Sequence, residues 1–216
     1  MLEVICIKES RVPEVVIRRL ALYLRALSQI DASESAFVSS QELAAKVGVT
    51  AAQVRKDLAM FGEFGKQGVG YHAGFLREEI ARILKADRTI EFVIIGAGEL
   101  GIALGRYTLR KYESEQAYPF MLTAMFDIDP AKVGHKVAGI SVRHISEMAR
   151  IVNERCIGMA LLTVPESAAQ SVIDLLGETR IKAVLNFAPT RLVAPRGIRV
   201  HNADVSLDLH HLAFFL

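Results

Sequence analysis

One glycine-rich stretch constrains the fold of this chain more than any other. An apolar, β-branched run at 92–95 leads directly into the turn Gly96-Ala97-Gly98-Glu99-Leu100-Gly101, and a helical pattern begins at Leu100. In a G-x-G-x-x-G turn of this kind, the first glycine permits the tight turn and the second lets a pyrophosphate approach the backbone. The third lets the helix pack closely on the strand. Phosphates then lie at the helix N-terminus, where free N–H groups favour negative charge. The stretch therefore predicts a dinucleotide site; the alternative is a purely structural turn.

The second half of the chain alternates between two hydrophobic patterns. Apolar runs lie at 92–95, 120–126, 157–164 and 181–187, and helical patterns lie between them at 100–112, 145–155 and 166–176. Such alternation is typical of a parallel sheet with helices on both faces. We therefore predict an α/β chain in which residues 86–203 form a Rossmann-type domain.

An acidic cluster ends the second predicted strand. Asp127 follows the apolar run, and Asp129 stands two residues later, before Pro130. A carboxylate at this point would accept hydrogen bonds from the adenosine ribose and repel a 2′-phosphate, which favours NAD over NADP. Asp127 is the preferred candidate, because Asp129 before a proline could simply cap a turn.

Two later loops follow predicted strands, at the edge where open α/β sheets bind ligands. These loops, 163–166 and 186–189, are either pocket walls or structural turns. The full set of predicted cofactor contacts is Gly96, Ala97, Gly98, Glu99, Leu100, Gly101, Asp127, Lys132, Val164, Pro165, Asn186, Phe187, Ala188 and Pro189.

The N-terminal part, residues 1–85, has the spacing of a helix-turn-helix. Ser39 and Glu42 form a predicted capping box that opens one helix, and that helix stops at Gly48. Thr50 and Gln53 form a second predicted box that opens the next helix. A helix, a short glycine-containing turn and a helix are typical of DNA-binding motifs. An ordinary helical bundle is the alternative.

A glycine-rich segment at 61–71 favours DNA binding over the bundle. Its glycines and aromatic residues predict a tight hairpin with Lys66 at the tip, which is typical of a wing. Small and polar residues at the start of the second helix would let it enter the major groove. The predicted DNA contacts are Ser40, Ala51, Ala52, Gln53, Arg55, Lys56, Lys66, Gln67 and Gly68.

Composition excludes some classes of protein and leaves others open. The net charge is only +2, with 26 basic and 24 acidic residues, so charge alone identifies no partner. Cys6 and Cys156 have no metal-ligand spacing, and no apolar run approaches the roughly 20 residues that a membrane helix needs. We expect a reduced, cytoplasmic chain without a metal site and without a membrane partner.

The last segment, 204–216, is apolar around much of its circumference. Val205, Leu207, Leu209 and Leu212 are followed by two phenylalanines and a leucine. A terminal helix of this kind must bury its surface, either on its own sheet or on a partner subunit.

Taken together, these segments resemble the Rex family of redox-sensing transcriptional repressors. The matching stretches are Ser39–Ala44, Gln53–Leu58, Phe61–Tyr71, Gly96–Gly101, Phe126–Pro130, Leu185–Pro189 and Asp204. Two positions depart from the family pattern: Gln67 stands where arginine is usual in the wing, and Glu99 places an acid in the phosphate loop.

The resemblance implies a homodimer of winged-helix and Rossmann domains whose C-terminal helix, 204–216, swaps onto the partner. It implies that NADH releases an inverted-repeat operator, whereas NAD+ is the weaker ligand and is compatible with DNA. It also implies that Arg25, Tyr107 and Asp204 link the DNA-binding half to the nucleotide half.

Two other functions remain open from the residues themselves. An NAD-dependent oxidoreductase would need a substrate subdomain and an acid or base beside the nicotinamide, and no histidine here pairs convincingly with a carboxylate. We therefore assign no catalytic residue. A CoA-binding module would use a similar glycine turn, although Asp127 favours a ribose diol over a 3′-phosphate.

Overall fold

The computed structural model describes residues 12–30, 37–66, 68–115 and 118–216. The chain forms two compact units that divide between Arg88 and Thr89. Among the described residues, no helix has the length and apolar character needed to cross a membrane.

The N-terminal unit is a winged helix. The elements of this unit are α1 (Glu14–Leu27), β1 (Phe37–Val38), α2 (Ser40–Val47), α3 (Ala51–Ala59), β2 (Gly65–Lys66), β3 (Gly70–His72) and α4 (Ala73–Ile83). A small antiparallel sheet has the strand order β1-β3-β2, so that β2 and β3 form the predicted hairpin.

Local capping signals explain where α2 and α3 begin and end. Both hydrogen bonds of the predicted Ser39–Glu42 capping box are present, and Gly48 ends α2 in the left-handed conformation at φ +73°. The second predicted box is wrong in one half. The Thr50 hydroxyl accepts from the Gln53 N–H, but the Gln53 side chain turns away and contacts Asp57 instead.

The C-terminal unit is a seven-stranded sheet with helices. Its elements are β4 (Ile90–Ile95), α5 (Glu99–Ser114), β5 (Phe120–Asp127), β6 (Lys136–Val137), β7 (Ile140–His144), α6 (Met148–Glu154), β8 (Met159–Leu162), α7 (Glu166–Leu176), β9 (Ala183–Asn186), β10 (Arg199–Asn202) and α8 (Val205–Ala213). The strand order is β10-β9-β8-β4-β5-β7-β6, and all neighbours except β6 and β7 are parallel. A 3-10 turn at Ile145–Glu147 leads into α6.

Both faces of this sheet are buried, as the alternation predicts. Successive side chains of β4 point to opposite faces. Val93 and Ile95 belong to the core that contains α6 and α7, whereas Phe92 and Ile94 belong to the core beside α5. Each face of the sheet has its own layer of helices, and this is why the strands appear in the sequence as continuous apolar runs.

The apolar side chains of the terminal helix α8 are exposed. Val205, Leu207, Leu209 and Leu212 are each at least 60% exposed, and Phe214 is 84% exposed. Of the two expectations for this segment, packing on its own sheet is therefore wrong.

Candidate functional site

The glycine turn joins β4 to α5, and its three glycines meet different surroundings. Gly96 has φ +104°, and a Cβ there would lie 2.6 Å from the Thr163 carbonyl oxygen. A Cβ on Gly101 would collide with the carbonyl oxygen of Gly96. A Cβ on Gly98 would meet no described atom within 4 Å. Gly96 and Gly101 are thus required by the fold, while the open space over Gly98 fits a pyrophosphate.

The end of β8 holds this turn in place. The Thr163 hydroxyl donates to the carbonyl oxygens of Gly96 at 2.8 Å and Ile95 at 3.1 Å. Directly after it, Val164 is half-buried and Pro165 is exposed, and Pro165 caps α7. Thr163 contacts the glycine turn from a distant part of the sequence, and no local sequence pattern predicted this role.

Strand register brings the predicted cofactor residues to one edge of the sheet. Ile95 at the end of β4 lies beside Phe126 of β5 on one side and Leu162 of β8 on the other. Leu162 in turn lies beside Asn186 of β9. Asp127, the last residue of β5, and the residues that follow these four strands therefore converge at the carboxyl edge, where open α/β sheets bind ligands.

Asp127 is buried and tied to the glycine turn. Its Oδ2 accepts from the Ala97 N–H at 2.7 Å and from Lys132 Nζ at 3.2 Å, and its Oδ1 accepts from the Asp129 N–H at 2.9 Å. Burial raises the pKa of Asp127, but these hydrogen bonds outweigh it and leave the pKa below its ordinary value. The group is therefore a carboxylate at neutral pH. Asp129, the alternative, accepts from the Ala131 N–H and caps a turn.

Asn186 organises the loop after β9 from a fully buried position. Its Nδ2 donates to the carbonyl oxygens of Ala188 and Thr190 and to Asn202 Oδ1, and its Oδ1 accepts from the Ala188 N–H. The side chain thus fixes the conformation of the loop that the sequence predicts as a pocket wall. Phe187, which is half-buried, lies on that loop.

The predicted DNA contacts lie on α2, α3 and the hairpin. Arg55 Nη1 donates to the Ser40 hydroxyl at 2.8 Å, which brings two of the predicted contacts together across the two helices. Ala52, Arg55 and Lys56 are exposed, and so are Lys66 and Gly68 of the hairpin. Ala51 is partly buried, and Gln67 lies outside the described residues.

Gln53, which the sequence predicts to read a base edge, is hydrogen-bonded within the protein. Its Nε2 donates to Asp57 Oδ1 at 2.7 Å, and Asp57 also contacts Arg19 and Tyr23 of α1. Sequence reasoning missed this network. The spacing of four residues between Gln53 and Asp57 is the one local signal that pointed to it.

Comparison with known proteins gives full-length matches. The chain is 43% identical over 209 residues to the redox-sensing transcriptional repressor Rex of Brevibacillus brevis, covering 97% of this chain and 99% of that relative. It is 40% identical to the Rex repressor of Natranaerobius thermophilus, covering 96% and 93% of the two chains. This chain belongs to the Rex family.

Family models and solved structures agree with membership of the Rex family. Residues 11–59 match a family model for a "DNA-binding protein N-terminus", and residues 87–190 match one for a "CoA binding domain". A crystal structure of RSP in complex with β-NAD+ and operator DNA has a TM-score of 0.84 at 36% identity and covers 94% of this chain and 91% of its own. RSP in complex with β-NADH has a TM-score of 0.80 at 33% identity and covers 94% and 93%. The Rex relatives are named as transcriptional repressors, not as enzymes or CoA-binding proteins.

Of the three residues that the Rex resemblance assigns to coupling, two lie on helices and the third precedes a helix. Arg25 is exposed on α1 of the N-terminal unit. Tyr107 is 57% exposed on α5, and Lys111 Nζ lies 5.9 Å from its ring centroid. Asp204 caps α8, because its Oδ1 accepts from the Ser206 N–H at 2.9 Å and the Leu207 N–H at 3.4 Å.

Proposed function

We propose that this chain is a homodimeric repressor that binds an inverted-repeat operator and releases it when NADH binds the C-terminal unit. The observation that carries the proposal is the combination of a winged helix and an open glycine turn in one Rex-family chain. The related RSP structures contain NAD+ with operator DNA in one case and NADH in another. We accordingly assign both ligands and the DNA to this chain. We also propose that the protein acts in the cytoplasm.

The C-terminal unit would hold the dinucleotide along the carboxyl edge of its sheet. The pyrophosphate would lie over Gly98, against the first N–H groups of α5. Asp127 Oδ1 receives one N–H from the described residues, so it retains an acceptor site for a ribose hydroxyl. Its negative charge would repel a 2′-phosphate, which supports NAD(H) over NADP(H). Glu99, exposed at the start of α5, would lower the affinity by repelling the pyrophosphate.

The N-terminal unit would place the start of α3 in the major groove and the hairpin along the minor groove. Arg55 and Lys56 are exposed on α3, and Lys66 is exposed on the hairpin, so all three can reach phosphates or base edges. Recognition of an inverted repeat requires two such units related by a two-fold axis. The exposed apolar side chains of α8 supply a surface for that dimer contact.

NADH can release DNA only if it binds the DNA-incompetent dimer more tightly than the competent dimer. We assign the link to Arg25, Tyr107 and Asp204, with α8 swapped onto the partner subunit. Closure of the nucleotide halves would then re-space the two α3 helices away from half-sites about one DNA turn apart.

The test uses the purified full-length chain and a pool of randomised inverted repeats. We expect selection of one operator, followed by its release on addition of NADH and its retention with NAD+ at the same concentration. Failure to select any sequence would contradict the DNA-binding half of the proposal. A turnover assay with NADH and candidate carbonyl substrates runs in parallel, and sustained NADH oxidation would favour an oxidoreductase instead.

A further inference from the structure

The recognition helix α3 carries a buried carboxylate that the proposed DNA contacts do not use. Asp57 is 1% exposed. Its oxygens accept from Arg19 Nε at 2.5 Å, Arg19 Nη2 at 2.8 Å, the Tyr23 hydroxyl at 2.8 Å and Gln53 Nε2 at 2.7 Å. A carboxylate with four donors is fully used inside the protein, so Asp57 itself is not available to DNA.

Asp57 is ionised, and it therefore acts only as an acceptor. Burial by itself raises the pKa of Asp57, but hydrogen bonds from Arg19, Gln53 and Tyr23 outweigh burial and lower the pKa below its ordinary value. An ionised carboxylate cannot donate. The end of the Gln53 amide that faces it must be the NH2 group, because the flipped amide would set two acceptor oxygens against each other.

The carboxylate cannot rotate to accommodate another arrangement. Arg19 and Tyr23 lie one turn apart on α1 and both donate to Asp57, which lies one turn after Gln53 on α3. The two N–H groups of Arg19 bind one carboxylate oxygen each, which fixes the plane of the group. The orientation of the Gln53 amide is consequently set by α1 as well as by α3.

We propose, on the basis of the proposed operator binding, that Asp57 is a positioning residue that selects the base read by Gln53. With one N–H held by Asp57, the amide of Gln53 presents its other N–H and its oxygen in a fixed order. A donor beside an acceptor complements adenine, which shows the N7 acceptor and the N6 donor in the major groove. Guanine shows two acceptors, N7 and O6, and is a poor match for that fixed amide.

The experiment compares operators selected from a randomised inverted-repeat pool by the parent and by the Asp57→Asn variant. An asparagine presents either an oxygen or an amine, so it accepts both orientations of the Gln53 amide. At the position whose preference disappears in Gln53→Ala, the parent should favour adenine over guanine by about 5- to 150-fold. In the Asp57→Asn variant, by the same reasoning, the affinities for the adenine and guanine operators should lie within roughly twofold of each other.

The matched control is Tyr23→Phe, which removes one hydrogen bond from the same carboxylate and leaves the Gln53 contact in place. It should keep the adenine preference. In the Gln53→Ala background, adding Asp57→Asn should leave base preference unchanged, because Asp57 acts through Gln53. If the role of Asp57 were purely structural, Asp57→Asn would lower the affinity for all operators and leave the adenine-to-guanine ratio as it is in the parent.

A folded Asp57→Asn dimer that retains the parental ratio overturns the inference and leaves the proposed function standing. A parent that selects no operator overturns both. If Asp57→Asn does not fold, the parent protein itself supplies the test through NMR of its ¹⁵N-glutamine side chains. In the operator complex, one N–H of Gln53 should stay protected from solvent exchange by Asp57, and rapid exchange of both would contradict the inference.

Discussion

Replacing Asp204 by serine should separate two roles that alanine would remove together. The Asp204 carboxylate caps α8 through the N–H groups of Ser206 and Leu207. Loss of such a cap costs roughly 0.5–2 kcal/mol, whereas serine caps about as well as aspartate. Because α8 has nine residues and helices of that length are marginal on their own, alanine should partly unwind it. Serine should leave α8 intact and remove only the charge.

If the charge of Asp204 carries the coupling to Arg25 and Tyr107, the serine variant should still dimerise but respond weakly to NADH. A typical coupling free energy of about 1–3 kcal/mol corresponds to an effect of roughly 5- to 150-fold on operator affinity. Fluorescence anisotropy of a labelled operator, with and without saturating NADH, measures this factor. Sedimentation confirms the dimer. A serine variant whose operator affinity still falls by the parental factor would refute the assignment.

Three further changes test other parts of the account. Gly98→Val should fold, because a Cβ at Gly98 meets no described atom within 4 Å, but isothermal titration should detect no NADH binding. Gly101→Ala should instead lower the thermal midpoint of unfolding. Lys66→Ala should weaken all DNA sequences alike and reduce the slope of log affinity against log salt by about 1, whereas a loss confined to one base pair would contradict a phosphate contact. Leu209→Ala should weaken the dimer, because Leu209 is 61% exposed in the single chain and its burial against a partner is worth roughly 1–2 kcal/mol per helix. Over two helices this corresponds to an increase of about 30- to 1000-fold in the dissociation constant of the dimer. Leu175→Ala, at a similarly exposed leucine of α7, is the control and should leave the dimer unchanged in sedimentation.

Features with local causes could be predicted from the sequence. The start of α2 follows from the hydrogen bonds that Ser39 and Glu42 exchange over three residues, and its end follows from Gly48. The predicted helix at 166–176 has the same bounds as α7, and its start follows from Pro165, which directly precedes its first turn. The glycine turn could be assigned because its spacing reflects the steric needs of one short segment.

The strands at the two ends of the large sheet, β10 on one side and β7 with β6 on the other, were missed because their sequences lack the apolar signal. The edge strand β10 contains Arg199, His201 and Asn202, all exposed, and among the described strands it pairs with β9 alone. The strands β6 and β7 are joined through Ala138 and Gly139, both at positive φ, and β6 has only two residues. Neither stretch contains the continuous apolar run that identifies a buried parallel strand.

The polar contacts of the two sites could not be predicted because they join residues far apart in the chain. Arg19 and Asp57 are separated by 38 positions, and Asp127 is separated by 30 positions from Ala97, whose N–H it accepts. The sequence predicted a ribose contact for Asp127 from its place at the end of a strand, and a base contact for Gln53 from its place at the start of a helix. The fold adds that Asp127 also holds the glycine turn and that Gln53 is held by Asp57.

The measurement that tests the central claim most directly is the affinity for NADH of the free dimer and of the operator-bound dimer. Linkage requires that operator DNA weaken NADH binding by the same factor by which NADH weakens operator binding, about 5- to 150-fold for typical couplings. NAD+ should show a much smaller factor. Equal NADH affinities for the free and operator-bound dimer, with NADH bound in both, would contradict the claim that this chain is an NADH-released repressor.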